Sequence, residues 1–296
     1  MGRLVIRRDL LMVDAFTTVP FTGNKSGVLY PAAGLDEQTM LALAGELGAS
    51  ESAFIVSFDQ AAATVEIRFF TSKVEMEVCT HATVAAFHVL ATRYGLGAGT
   101  YHMKGRKAGY TVRLEAGGVH PTITVVQSDN KMVRLLSEAE RQKLSVALGL
   151  DPEGPSPIGD ALIYRAATAR TLAELSDRKT LNALTPNNAL LKALGQSLGV
   201  PGFYCYTYDG SDQHIRAHCR MFSPGSGVDE DPVTGNAASA LALYERSIAL
   251  IADKETVRYA QGEQMGRGGV VTVTVDGEHA LISGQAVTVW EGSILL

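Results

Sequence analysis

At 296 residues, with 46% hydrophobic and 19% charged residues, the chain is long enough for two globular cores and too apolar to be disordered. Its formal net charge is −5 and its Lys and Arg are scattered, which leaves no footprint for nucleic acid, and no apolar run reaches the roughly 20 residues that cross a bilayer. Cys79, Cys205 and Cys219 show neither CxxC nor HExxH spacing, so a reducing, cytoplasmic setting without disulfides or a structural metal is expected.

The opening stretch MGRLVIRRDLLMVDAF breaks its apolar run with Arg7, Arg8, Asp9 and Asp14 and reads as a first strand, not a signal peptide. Alternating apolar residues predict strands at 10–16, 26–30, 52–57, 64–70 and 110–114. Helices are expected at 36–47 and 80–94, and the second of these is apolar nearly all round. Such a helix must be surrounded by protein.

The turn-rich stretch 115–121 marks a boundary, which divides the chain into an N-terminal lobe at 1–120 and a C-terminal lobe at 121–284. The closing strand, about 285–296, is expected to return to the first lobe. In the second half a strand at 123–127 precedes surface helices near 137–148, 171–175 and 187–198, then strands at 202–208 and 215–221. A small-residue helix at 235–248 follows, and strands at 255–259, 270–275, 279–284 and 285–290 end the chain.

Arg68-Phe69-Phe70-Thr71-Ser72 resembles Arg220-Met221-Phe222-Ser223-Pro224 at an offset of 152, which also pairs Cys79 with Asp231 and Ala85-Ala86 with Ala237-Ala238. The expected fold is therefore α+β, with two similar lobes, each a curved or barrel-like sheet wrapped around a central α-helix. Each helix starts after a polar loop and presents unpaired N–H groups and a positive dipole end, which suits an anion. If the lobes face each other, the two sites converge on a carboxylate substrate and on the enolate-like charge left when a carbon next to a carbonyl loses its proton.

The first loop reads VEMEVCTHATVAAF, in which Thr80 is a candidate N-cap. His81 either satisfies the helix end or donates to a bound carboxylate and shuttles a proton. Cys79 is either a small core residue or a thiol activated by the helix N-terminus. The second loop reads SPGSGVDEDPVTGNAASAL, where Asp231 caps the helix, points toward a ligand, or joins Asp229 and Glu230 in a solvated acidic face. Gly235 allows backbone to approach a ligand closely. Glu51, in GASESAFI, is a turn residue or a desolvated carboxyl suited to acid and base work.

Taken together, VDAFTTVPFTGNKSGV, SESAF, RFFTSKVEMEVCTHATVAAFHVL, RMFSPGSGVDEDPVTGNAASAL, QGEQMGRGGVVTV and SGQAVTVWEG resemble the phenazine biosynthesis PhzF-like family, over nearly the whole length. That family shares the diaminopimelate epimerase fold. The resemblance implies two lobes with the active site between them, commonly in a homodimer, and proton shifts without a cofactor. It implies that Glu51 is the general acid and base, that His81 and Asp231 bind and orient substrate, and that backbone around Gly235 and Asn236 anchors a carboxylate. Three departures stand out: Lys25 where Pro is usual, Thr80 where Gly precedes the histidine, and Asn236 where a serine or other small residue is usual. Thr80 and Asn236, with Cys79, line the expected substrate position and point to a different substrate.

The reading that follows is a cofactor-independent isomerase of a small carboxylate-bearing metabolite in secondary metabolism, with Glu51, His81 and Asp231 catalytic. Alternatives are an epimerase or dehydratase of a proline-like amino acid using Cys79, a C–C or C–X bond-cleaving enzyme, and a non-catalytic small-molecule binding protein. A symmetric two-thiol racemase is disfavoured, because Asp231 stands where the second thiol would be.

Overall fold

The computed structural model describes residues 7–128, 131–151, 158–166, 168–210 and 214–296. Two units divide the chain, one of residues 1–126 with 283–296 and one of residues 127–282. Residues 1–6 of the opening stretch lie outside the described residues.

In the first unit β1 (Arg7–Ala15) pairs antiparallel with β2 (Asn24–Tyr30) on one side and with the closing strand Ala286–Leu295 on the other. Helix α1 (Glu37–Leu47) then carries the chain over to β3 (Glu51–Asp59), which lies parallel to β2, a pairing that requires a crossover. Asp36 caps this helix on the Thr39 N–H, and Gly48 ends it in the left-handed region, where glycine carries no Cβ penalty. Strand β4 (Thr64–Phe70) returns antiparallel to β3 and holds the two-residue β5 (Glu75–Met76) on its far edge. After helix α2 (Thr80–Tyr94), β6 (Gly99–Lys104) lies parallel to β4, and β7 (Gly109–Glu115) and β8 (Thr122–Gln127) extend the sheet as an antiparallel meander.

Every residue of α2 from Thr80 to Leu90 is buried, and the helix packs on β1, β2, β3 and the closing strand. Its small residues Ala82, Ala85 and Ala86 allow backbone to approach strands on several sides, so the all-round apolar pattern becomes a central helix.

The second unit builds the same order of pairings. It contains β9 (Lys131–Leu135), α3 (Glu138–Ala147), β10 (Ile158–Arg165), β11 (Ala169–Leu175), α4 (Arg178–Ala183), α5 (Asn188–Leu198), β12 (Phe203–Thr207) and β13 (Ala217–Ser223). It continues with β14 (Val228–Asp231), α6 (Gly235–Ser247), β15 (Thr256–Gln261), β16 (Gly269–Asp276) and β17 (His279–Gly284). Strands β9, β10 and β11 are antiparallel neighbours, β12 is parallel to β11, and β13 is antiparallel to β12. The short β14 pairs with β13, and β15, beyond the helix α6, is parallel to β13 and antiparallel to β16. In each unit, then, a strand, a two- to four-residue strap and a buried helix come in that order, as the repeat at offset 152 implies.

Several elements differ from expectation. The segment 171–175, read as a surface helix, belongs to β11. Its Thr171, Leu172, Ala173 and Leu175 are buried and its backbone pairs with β10 and β12, so two ladders outweigh the helical propensity of Leu, Ala and Glu over a single turn. Strand β8, taken as the start of the second half, pairs with β7, and its residues up to Val126 count with the first unit. Strands β5, β6, β9, β10 and β14 and helix α4 are not among the expected elements. In β6 only Tyr101 and Met103 face inward, too little alternation to stand out. Thr80 is the first residue inside α2, and Cys79 occupies the N-cap position in its place.

Both helices carry a buried ionisable group. Glu245, in the last turn of α6, is wholly buried and accepts the Tyr259 hydroxyl at 2.7 Å, with Arg216 Nε 3.5 Å from its other oxygen. Burial raises its pKa and these donors oppose the rise. His88, on α2, is held by Thr288 Oγ1 at 3.2 Å from Nε2, and burial, with His120 nearby, lowers its pKa to about 4. The unfolded chain takes up this proton near pH 6.5 and the native state only near 4, so the stabilisation is complete above 6.5 and is lost as pH falls between the two. Urea unfolding of the wild type and of His88→Gln at pH 7 and pH 4.5 checks this. The wild type should lose up to about 3 kcal/mol more than the variant over that interval.

Candidate active site

The first group of site residues is assembled from the ends of β2, β3 and α2. Glu51 opens β3 opposite Ser26 of β2, and the Ser26 hydroxyl donates to the Glu51 carbonyl at 2.9 Å, which fixes where its side chain starts. One strand earlier, Gly23 turns the chain in the left-handed region, where a Cβ would stand 2.3 Å from the Ala15 carbonyl, so only glycine fits and Asn24 follows it, buried, at the start of β2.

His81 meets both ends. Its Nε2 lies 3.5 Å from Glu51 Oε2, and its Nδ1 lies 3.4 Å from Asn24 Nδ2. The side chains of His81 and Glu51 are 8% and 18% exposed, so their contact is shielded from bulk water but not sealed from it. Cys79 Sγ stands 3.5 Å from Nδ1 and 3.9 Å from Nε2 of the same ring. The structure thus brings together Glu51, Cys79 and His81, with Thr80 between the last two in sequence and the Tyr110 hydroxyl of β7 in the electrostatic reach of Cys79 and Thr80. Burial pushes the Tyr110 hydroxyl up, so it stays neutral.

Cys79 is the half-buried cysteine of the three. Cys205 and Cys219 are fully buried and burial raises both thiols, Cys205 to about 12, so neither offers a thiolate.

The second group belongs to the other unit. Asp231 ends β14 and accepts the Thr234 hydroxyl on Oδ2 at 2.5 Å, while Thr234 is the N-cap residue of α6. Gln261, buried at the end of β15, ties this turn together. Its amide donates to the Asp231 carbonyl at 2.7 Å and to Thr234 Oγ1 at 3.1 Å, and its Oε1 accepts the Thr234 N–H at 3.1 Å. Gly235 is the first and Asn236 the second residue of the helix. Both polar atoms of the Asn236 side chain are buried and have no hydrogen-bond partner among the described residues.

Asn24, Tyr110 and Gln261 were not singled out from the sequence. Asn24 and Gln261 stand in segments that carry the family resemblance, the TGNK and QGEQ stretches, and each is a buried amide at a strand end. That placement was the available signal.

The same device holds each helix-leading strap. Arg68 of β4 makes a two-pronged contact with Glu75 of β5, at 2.7 and 2.8 Å, and lies 5.0 Å from the centre of the Phe70 ring. Arg220 of β13 does the same with Glu230 of β14, at 2.8 and 2.9 Å, and lies 4.8 Å from the Phe222 ring. Its third nitrogen donates to the carbonyls of Leu181 and Leu184 at 3.1 Å. Glu230 is therefore a pinned residue next to Asp231 and not part of a solvated acidic face. Removing one partner strands the other: Arg220→Met should cost about 3 kcal/mol in urea unfolding, and Arg220→Met/Glu230→Met less than that single change.

The comparisons agree with this architecture. The family of phenazine biosynthesis-like proteins, PhzC-PhzF, matches residues 13–292. The uncharacterized isomerase YddE of Salmonella typhimurium is 35% identical to this chain over 95% of it and 96% of that protein. A solved PhzF-family phenazine biosynthesis protein from Bacillus anthracis superposes with a TM-score of 0.86 at 23% identity, over 98% of this chain and 100% of that one. A hydroxyproline epimerase from Agrobacterium vitis, solved with bound trans-4-hydroxy-L-proline, gives a TM-score of 0.63 at 13% identity over 100% of this chain and 93% of that one, a likeness of fold. On the extent of the family match and of the YddE alignment, the chain belongs to the phenazine biosynthesis-like PhzC-PhzF family.

Proposed function

We propose that the protein is a cofactor-independent isomerase in secondary metabolism, which shifts a proton on a small carboxylate-bearing substrate with Glu51 as general acid and base. The observation that carries this reading is the 3.5 Å approach of Glu51 Oε2 to His81 Nε2 in a partly shielded environment. A carboxylate removes the proton from a carbon activated by conjugation, holds it, and returns it to another carbon, so no net redox change and no cofactor are needed. His81 hydrogen-bonds and orients the carboxyl between the two transfers, and Asn24 fixes the ring.

Asp231 is assigned to substrate binding on the strength of the family motif and of its held position before α6. The N–H groups at the start of α6, around Gly235 and Asn236, suit a substrate carboxylate. The partnerless Asn236 amide has both a donor and acceptors to offer, which favours a substrate with polar groups near its carboxylate.

An epimerase reading is favoured by one observation, the place of Cys79 next to His81. The two readings separate cleanly. Under the isomerase reading Cys79→Ser keeps proton transfer, and under the epimerase reading it abolishes it.

The test is proton NMR in D2O, with chelator and no added cofactor, on a panel of dihydroaromatic carboxylates and proline-like amino acids. The wild type should incorporate solvent deuterium into at least one of them, and Glu51→Gln should lower that rate by about 10²- to 10⁴-fold with unchanged folding. Exchange that survives in Glu51→Gln overturns the assignment. Asn236→Ser, measured on the same substrate, should move KM by roughly tenfold and kcat by less.

A further inference from the structure

We propose that Glu51, Cys79 and His81 form a three-ligand site for a borderline divalent cation, zinc above all, and that its occupancy switches off proton transfer at Glu51. The second half of this statement rests on the function proposed above; the first half does not.

The donor set is one carboxylate oxygen, one sulfur and one imidazole nitrogen, all within 4.8 Å of one another. Taking Nε2 as the imidazole ligand, the sides of the triangle are 3.5 Å to Glu51 Oε2 and 3.9 Å to Cys79 Sγ. Bonds of roughly 2.0–2.3 Å at tetrahedral angles give ligand-to-ligand edges of about 3.3–3.6 Å, so the two edges from His81 need shifts of a few tenths of an ångström, while the Glu51–Cys79 edge, within 4.8 Å, closes by rotation of the two side chains. Backbone placement leaves little to rearrange, because Cys79 and His81 flank the first residue of a buried helix and Glu51 is fixed at the head of β3.

Chemistry selects the ion. A thiolate and an imidazole suit zinc and cobalt, whereas calcium and magnesium need several oxygen ligands and find one carboxylate here. Three protein ligands leave a fourth position to water or substrate. Asn24, with its amide 3.4 Å from Nδ1, stands on the far side of the ring as outer support and leaves Nε2 to face Glu51. On binding, the Cys79 thiol gives its proton to solvent and no electrons move. A carboxylate tied to the metal can no longer take the substrate proton, which makes zinc an inhibitor of this site and not its cofactor.

Cobalt is the probe, because a cobalt–thiolate bond gives a near-ultraviolet charge-transfer band and tetrahedral cobalt an intense visible spectrum. Cys205 and Cys219 are buried, so the band reports on Cys79. Titrating the intact protein with Co2+ should give one equivalent bound, with both features. Cys79→Ser should lose the charge-transfer band, and Cys79→Ser and His81→Gln should each bind at least about tenfold more weakly. Cys79→Ala is the second variant should Cys79→Ser fold poorly, judged by circular dichroism. A wild type without the band, or variants that bind cobalt as well as the wild type, overturns the site. Zinc at one equivalent should slow deuterium exchange at least about tenfold, reversed by chelator; exchange unaffected by bound zinc overturns the inhibition. Cobalt binding is read without any substrate, so its outcome stands apart from whether an exchange activity exists.

Discussion

An α-helix that is apolar on every face persists only where a sheet covers it on several sides, and α2 and α6 are both such helices. Burial runs through α2 from Thr80 to Leu90, and through α6 over Gly235 and from Ala237 to Glu245. The cost of that burial falls at the N-termini, where the first backbone N–H groups have no partner within the helix. Polar residues stand at those ends in this chain, Cys79 and His81 in one unit and Asp231, Thr234 and Asn236 in the other, but neither N-cap side chain, Cys79 or Thr234, takes up a helix N–H, which leaves those groups to a ligand. The same fact that builds the core thus builds the sites.

Precision at those ends comes from groups that perform no chemistry themselves. The Arg68–Glu75 and Arg220–Glu230 pairs fasten the straps that lead into the helices, and each guanidinium also stacks near a phenylalanine of its own strand. Asn24 and Gln261, buried amides at strand ends, hold His81 and the Asp231 turn. The two units use the same kind of pin but different amides, and they diverge in what they present, a thiol, an imidazole and a carboxyl in one and a carboxyl and an amide in the other.

Much of this was legible in the sequence because the signals were local and redundant. The helix at 80–94 was visible from its small and apolar residues on nearly every face, and α1 and α5 lie within a residue of the expected 36–47 and 187–198. Glu51, Cys79 and His81 could be named from their motifs, although nothing in a linear reading says that their polar atoms meet. The segment at 171–175 failed for the opposite reason, since its strand character comes from ladders on both sides, with β10 and with the more distant β12, and not from its own residues. The amides Asn24 and Gln261 do not stand out because an isolated Asn or Gln at a strand end is ordinary until its burial is known. Glu230 looked like one of three solvated acids until its partner, ten residues away across a hairpin, was in view.

The central claim is that Glu51, next to His81, is where the proton moves. A crystal structure of Glu51→Gln with a bound carboxylate that the wild type deuterates tests this most directly. The account predicts that the exchanging carbon lies within about 3.5 Å of the side-chain amide of residue 51, with His81 in hydrogen-bond contact with the ligand or with that amide. A ligand bound in a productive pose with its exchanging carbon far from residue 51 and next to another acid or thiol would contradict it.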